Sequence, residues 1–232
     1  MDLQNRVALV TGAGRGIGRA IALAFAGAGA DLVLCARNGE QVHSVAREVE
    51  QTGCKALAIE ADVSSESAVR KMVRQAVEQF GRIDILHNNA AILQSGRLVD
   101  YPIDQWNESM AINVTGTLLC LQAVLPHMVE NNYGRVINMT SILSALCVPS
   151  YGSYSVSKAA VNAITKTLAA EFSSHNILIN GQHPGNIKTD MNPAGTNTVD
   201  LATPTALFLA SLPDGGPTGK FYFNLTEMTE IQ

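Results

Sequence analysis

Tyr154 and Lys158 stand four positions apart in Tyr154-Ser155-Val156-Ser157-Lys158, and Ser141 lies thirteen positions before the tyrosine. On a helix, residues four apart share one face, so the Lys158 ammonium is expected beside the Tyr154 hydroxyl. A free phenol has a pKa near ~10 and shuttles protons poorly at neutral pH. A nearby cation favours the phenolate, so the spacing predicts a tyrosine whose pKa is pulled down toward the working pH. A second group of residues, Thr11-Gly12-Ala13-Gly14-Arg15-Gly16-Ile17-Gly18, has the make-up of a phosphate cradle. Glycines let backbone amides approach a pyrophosphate, and a following helix N-terminus favours anionic oxygens.

These residues need strands and helices to hold them, and the chain supplies both in alternation. Short apolar runs at Val7–Val10, Leu32–Leu34, Ala56–Ile59, Ile83–Leu86, Arg135–Met139 and Ile177–Asn180 read as buried strands. Helical patterns fill the intervals: Ile17–Phe25, Glu40–Gln51, a helix capped by Ser65 or Ser67 and running to Phe80, one ending near Glu130, and Ser153–Phe172. A shorter helix through Ala206–Leu209 and a strand near Phe221–Phe223 follow. Continuous apolar strands between helices predict a parallel sheet covered on both faces. The expected fold is α/β, a doubly wound Rossmann sheet of about seven strands forming one domain over residues 1–232. Its crevice should open at the carboxyl ends of the strands. The stretch Asn192–Thr203 is the candidate mobile loop.

Composition narrows the functions. A formal net charge of −4, with no basic run interleaved with aromatics, argues against nucleic acid and anionic membranes. No uninterrupted apolar stretch approaches the roughly 18 residues of a membrane span, and Met1-Asp2-Leu3-Gln4 lacks a secretory pattern. The chain reads as cytoplasmic. Cys35, Cys54, Cys120 and Cys147 are scattered, and His43, His87, His127, His175 and His183 form no ligand set, so no metal site is expected.

Coenzyme choice is read at the second strand. A carboxylate at its carboxyl end would hold the 2′-hydroxyl of NAD. Asp31 precedes Leu32-Val33-Leu34 and is at the wrong end, whereas Cys35-Ala36-Arg37 follows. Arg37, with Arg15 from the glycine turn, suits a 2′-phosphate. NADP(H) is therefore expected over NAD(H).

The chain resembles the short-chain dehydrogenase/reductase family. The likeness rests on Thr11-Gly12-x-x-x-Gly16-x-Gly18, Asp62-Val63, Asn88-Asn89-Ala90, Asn113, Ser141, Tyr154-x-x-x-Lys158 and Pro184-Gly185-x-x-x-Thr189, and spans roughly residues 5–191. It implies Tyr154 as general acid or base, Lys158 as its partner and a ribose ligand, Ser141 as holder of the substrate oxygen, and Asn113 as support for a relay water. It implies Asp62 and Val63 at the adenine, Asn89 and Ala90 along the coenzyme's centre, and Pro184, Gly185, Ile187 and Thr189 around the nicotinamide. Gly12, Gly16, Ile17 and Gly18 would form the phosphate turn. A homodimer or homotetramer is implied as well.

Departures from the family are local. Ala91 follows Asn-Asn-Ala where glycine is usual, and His87 replaces an apolar strand residue as a core or interface histidine. His183 is either a substrate contact or a strand-end polar residue. Residues 190–203 form a shortened lid, with about a dozen residues between Met191 and Pro204. The expected activity is NADPH-dependent reduction of a small-molecule carbonyl. The alternatives are a 3-oxoacyl-[acyl-carrier-protein] reductase, for which Arg97 is one candidate docking cation, and a non-catalytic NADP(H)-binding redox sensor.

Overall fold

Parallel strands carry the molecule, and their order decides where a ligand can enter. In the computed structural model, which describes residues 1–229, the strands are β1 (Val7–Thr11), β2 (Asp31–Ala36), β3 (Ala56–Glu60), β4 (Ile85–Asn88), β5 (Gly134–Met139), β6 (Ile177–Gln182) and β7 (Phe221–Phe223). The expected domain to residue 232 extends three residues beyond that description. A two-residue β8 (Thr226–Glu227) adds an antiparallel edge to the seven parallel strands. The sheet order is β3-β2-β1-β4-β5-β6-β7-β8. After β3 the chain crosses back to the far side of β1, so β1 and β4 lie side by side while their outgoing loops diverge. That reversal opens a crevice at their carboxyl ends.

Helices α1 (Gly16–Gly27), α2 (Gly39–Glu50) and α7 (Thr203–Ala210) cover one face. Helices α3 (Glu66–Phe80), α5 (Gly116–Glu130) and α6 (Gly152–Glu171) cover the other. Local chemistry sets their ends. The Asn38 side chain accepts from the Gln41 amide to start α2, and Ser65 caps α3 through Ala68. Gly81 stops α3 in the left-handed region at φ 75°, where a Cβ would be strained. Strand residues alternate between the two cores: Val10, Leu34 and Ile137 meet α1 and α2, whereas Leu9, Val33 and Val136 meet α3 and α5.

The helix expected to end near Glu130 is longer than its apolar pattern suggests. It begins with α4 (Ile103–Met110), passes through a π-turn at Ala111–Thr115 and continues as α5. The 28-residue whole is long and apolar enough to cross a membrane by length and composition, yet half of its most apolar window is buried inside the protein. It is a core helix of the α3 and α6 side. The candidate mobile stretch 192–203 contains a short 3-10 helix, Val199–Ala202, which leads into α7.

Candidate active site

Thr11 ends β1 and fastens the turn to the neighbouring strand. Its Oγ1 accepts from the Asn89 and Ala90 amides at 3.0 and 3.1 Å, while Asn89 Nδ2 donates to the carbonyls of Thr11 and Gly12. Gly12 and Gly16 take positive φ, 65° and 55°. A methyl on Gly12 would press on Asn89 Nδ2 at 2.8 Å, and one on Gly18 would drive into the Gly12 carbonyl. No side chain caps α1, and no carboxylate occupies its first turn. The first-turn amides therefore face the crevice uncompensated, which suits an anionic pyrophosphate.

The crevice measures about 470 Å³. Of the expected coenzyme residues, Gly12, Arg15, Gly16, Ile17, Gly18, Arg37, Asp62, Val63, Asn89, Ala90, Pro184 and Thr189 all line it, with Tyr154 and Lys158 at its inner end. Glycines whose Cβ would fill the cradle, and two cations at one end, fit a phosphorylated dinucleotide. Asp62 Oδ1 already accepts from the Ser64 amide and hydroxyl at 2.9 and 2.7 Å, fixing the carboxylate's orientation. Arg37 is exposed and has no ion-pair partner among the described residues, whereas Arg15 Nη1 donates to Asp190 Oδ2 of the lid at 2.8 Å. Asp31 is spent elsewhere, accepting from the Lys55 amide at 2.7 Å.

Four expected residues do not line the crevice. Gly185 turns the chain at φ 92° against Leu201 and Phe223, and Ile187 is buried, pairing with Asn197 to shape the lid. Ser141 lies at the mouth of the loop after β5, its Oγ accepting from the Leu143 amide at 3.2 Å. Asn113 stands in the π-turn with its amide consumed: Oδ1 accepts from the Ile92 amide, and Nδ2 donates to the Ile92 carbonyl and Ser157 Oγ. That side chain clamps the loop beyond β4 to α6.

Electrostatics correct one expectation. The Tyr154 phenol is not pulled down by Lys158; burial pushes it up to about 12, opposed by the Ser141 hydroxyl beside it. Lys158 Nζ lies 5.6 Å from the tyrosine ring centre and donates to the Met139 carbonyl at 2.7 Å. The lysine is itself desolvated, its pKa falling from 10.5 to about 8. Desolvation outweighs the cation because it disfavours both charged forms at once. Tyr154 thus holds its proton at neutral pH, as a general acid requires.

The lysine shift has a stability consequence. Lys158 is nearly fully buried, and between pH 8 and 10.5 the unfolded chain holds more protons than the folded one. Stability therefore rises with pH across that window, by on the order of 3 kcal/mol, and the whole penalty applies below it. Denaturant titrations should show wild type gaining on Lys158→Met as pH climbs from about 8 to 10.5; a constant difference would contradict the assignment.

The histidines divide as structure demands. His87 is buried against Phe25, bonded through Nε2 to Gln182 Oε1, and held neutral by burial with a pKa of about 4. It is a core histidine. His183, also lowered to about 4, stacks on Phe223 at a ring separation of 5.2 Å and does not line the crevice. Sequence reasoning missed Gln182, whose Nε2 donates to the Ala202 carbonyl at 2.6 Å and so ties the sheet to the lid's far end. It also missed Gln41, Ile92, Ile112, Met139 and Met191, which line the crevice; only a polar residue in an apolar strand, Gln182, left a signal.

A family model for short chain dehydrogenases matches residues 6–199. The chain belongs to that family. This short-chain dehydrogenase is an oxidoreductase, and its relatives agree. It is 38% identical over 191 residues to a 3-oxoacyl-[acyl-carrier-protein] reductase of Staphylococcus epidermidis, covering 82% of this chain and 78% of the relative. It is 37% identical to a (2S)-[(R)-hydroxy(phenyl)methyl]succinyl-CoA dehydrogenase subunit of Thauera aromatica, covering 96% of each. Among solved structures, a short-chain type dehydrogenase/reductase of Mycobacterium marinum superposes with a TM-score of 0.90 at 33% identity, over 95% of this chain and 94% of that one. A short chain dehydrogenase of Burkholderia cenocepacia in complex with NADP gives a TM-score of 0.86 at 33% identity, covering 94% of each chain. An NAD+-bound xylitol dehydrogenase gives a TM-score of 0.88 at 29% identity, over 95% of this chain and 98% of that one.

Proposed function

We propose that this dehydrogenase reduces a small-molecule carbonyl to an alcohol with NADPH, Tyr154 acting as general acid. The carrying observation is a half-buried phenol, protonated at neutral pH, that lines the glycine-rich crevice and has the Ser141 hydroxyl beside it. The coenzyme, when bound, supplies the hydride. Ser141 Oγ donates a hydrogen bond to the carbonyl oxygen and orients it. Tyr154 Oη delivers its proton to that oxygen as negative charge builds there. Lys158, anchored on the Met139 carbonyl beside the phenol, would hold the nicotinamide ribose when the coenzyme is bound. Asn113 holds Ile92 and Ser157 in position, so its part in a proton relay is one of support.

Coenzyme preference rests on Arg15 and Arg37. Relatives of this fold are found with NADP and with NAD+, so the chain's own rim decides. Arg37 has no ion-pair partner among the described residues, and the exposed Arg15–Asp190 pair is the kind worth only about 0–1 kcal/mol, which a 2′-phosphate can replace at small cost. Arg37→Ala is expected to raise the NADPH dissociation constant about 10–100-fold, the worth of a charge-assisted phosphate contact, and to leave NADH unchanged. Fluorescence titration checks this; equal losses for both coenzymes would favour NAD(H).

The relatives favour a 3-oxoacyl thioester as the neighbouring substrate choice. A carrier-bound acyl group needs docking cations, and Arg97 is paired with Asp100. A redox sensor without turnover is disfavoured by the Ser141-Tyr154-Lys158 set, which binding alone does not use. The apolar face of α5 and α6, including Leu118, Leu125, Ile164 and Leu168, suits a homodimer or homotetramer. The acidic balance of the chain disfavours binding to nucleic acid or anionic membranes, and a cytoplasmic location is proposed with it.

A further inference from the structure

The loop after β5 starts at Ser141, forms one 3-10 turn (Ile142–Ser144) and then runs exposed from Ala145 to Ser150. That first turn is tied to α6. The Ser141 carbonyl accepts from the Ser144 amide at 3.0 Å and from Ser144 Oγ at 2.6 Å. Ser144 Oγ in turn accepts from Asn162 Nδ2 at 2.8 Å. Asn162 is 8% exposed, and Tyr154, Lys158 and Asn162 follow one another at four-residue spacing on one face of α6.

Chemistry forces the direction of these bonds. A carbonyl only accepts, so the one Ser144 hydroxyl proton is spent on Ser141, and Asn162 must turn its NH2 toward Ser144. Asn162 Oδ1 is buried with no partner among the described residues. An apolar side chain would cost less at such a position, which sets the Nδ2 bond apart from ordinary packing. What remains on Ser141 is its hydroxyl: Oγ accepts from the Leu143 amide at 3.2 Å, and its proton is left for Tyr154 or a substrate oxygen.

We infer that Ser144 and Asn162 are positioning residues, which aim the Ser141 hydroxyl by tethering its carbonyl to the helix that carries Tyr154 and Lys158. The two hydroxyls that would meet the reacting oxygen are then held by one helix, and not by a helix and an untethered loop. Their effect on turnover rests on the reductase reading, in which Ser141 binds the carbonyl oxygen; the tether itself can be tested without turnover.

The experiment is a mutant cycle on kcat, with NADPH and the carbonyl that wild type reduces fastest. Asn162→Ala and Ser144→Ala should each lower kcat about tenfold, the worth of one lost hydrogen bond, and leave the NADPH dissociation constant within about threefold. Together they should again cost about tenfold and not about a hundredfold, because both act through one chain of bonds. In a Ser141→Ala background, Asn162→Ala should change kcat by less than about twofold. A loss that reappears in every background would overturn the inference, as would unchanged kcat in both single variants. Ser144 is only part-buried, so its variant carries the cycle if Asn162→Ala folds poorly. Amide exchange reads the tether itself: Asn162→Ala should speed exchange at Leu143 and Ser144 about tenfold, and unchanged protection there would overturn it. If wild type consumes no NADPH with any carbonyl, the reductase reading fails alone, and the exchange rates decide the tether.

Discussion

Tyr154→Phe is expected to lower kcat by about 10²–10⁴-fold, the usual worth of a positioned general acid. The substitution removes one oxygen and leaves the ring, which packs beside Lys158. The crevice proposed for the coenzyme is lined by the glycine turn, the β2 end and the lid as well as by Tyr154, so the NADPH dissociation constant should stay within about threefold, or ~0.65 kcal/mol. The split between lost turnover and retained binding separates a chemical role from a structural one. Retained kcat would remove Tyr154 from the mechanism. The measured pH profile should also differ from a lowered-phenol scheme: because burial holds Tyr154 protonated up to about 12, the reduction rate should not fall as a tyrosine titrates near neutrality.

Gly18→Ala should be nearly as damaging, by a different route. Its new methyl would meet backbone, the Gly12 carbonyl, and the Asn89 amide that stitches the turn to β4. Neither yields as the tip of a flexible side chain does. Overpacking of this kind costs about 1–3 kcal/mol, which displaces the cradle and raises the NADPH dissociation constant about 10–100-fold. Gly27→Ala is the matched control in the same helix, where an added methyl meets nothing within 4 Å. That variant should bind normally and gain up to about 1 kcal/mol in denaturant unfolding from helix propensity. Equal behaviour of the two variants would contradict a tight cradle at Gly18.

The parts that sequence made legible are those fixed by short-range rules. Alternation of apolar strands with amphipathic helices depends on local pattern, and the parallel sheet followed from it. Thr11 to Gly18 is recognisable because the positive φ at Gly12 and Gly16 favours glycine, and a Cβ on Gly12 or Gly18 would collide with the turn. Asp31 was rightly set aside, since its place at the start of β2 turns its carboxylate to the Lys55 amide. What failed depends on burial. Spacing places Lys158 near Tyr154 but says nothing of the desolvation that reverses the expected phenol shift. Nor does it show that Asn113 spends its amide on Ile92, a partner brought near by the π-turn. The exposed apolar side chains were illegible for a related reason: Val99 and Leu146 look like core residues until the tertiary structure leaves them outside.

The most direct measurement of the central claim is isotope transfer from NADPH carrying deuterium at the transferable position. Incubated with a carbonyl panel, wild type should consume the coenzyme and deliver deuterium to the carbinol carbon, while Tyr154→Phe delivers almost none. Tight coenzyme binding with no label in any alcohol would contradict the account and leave a nucleotide-binding protein without turnover.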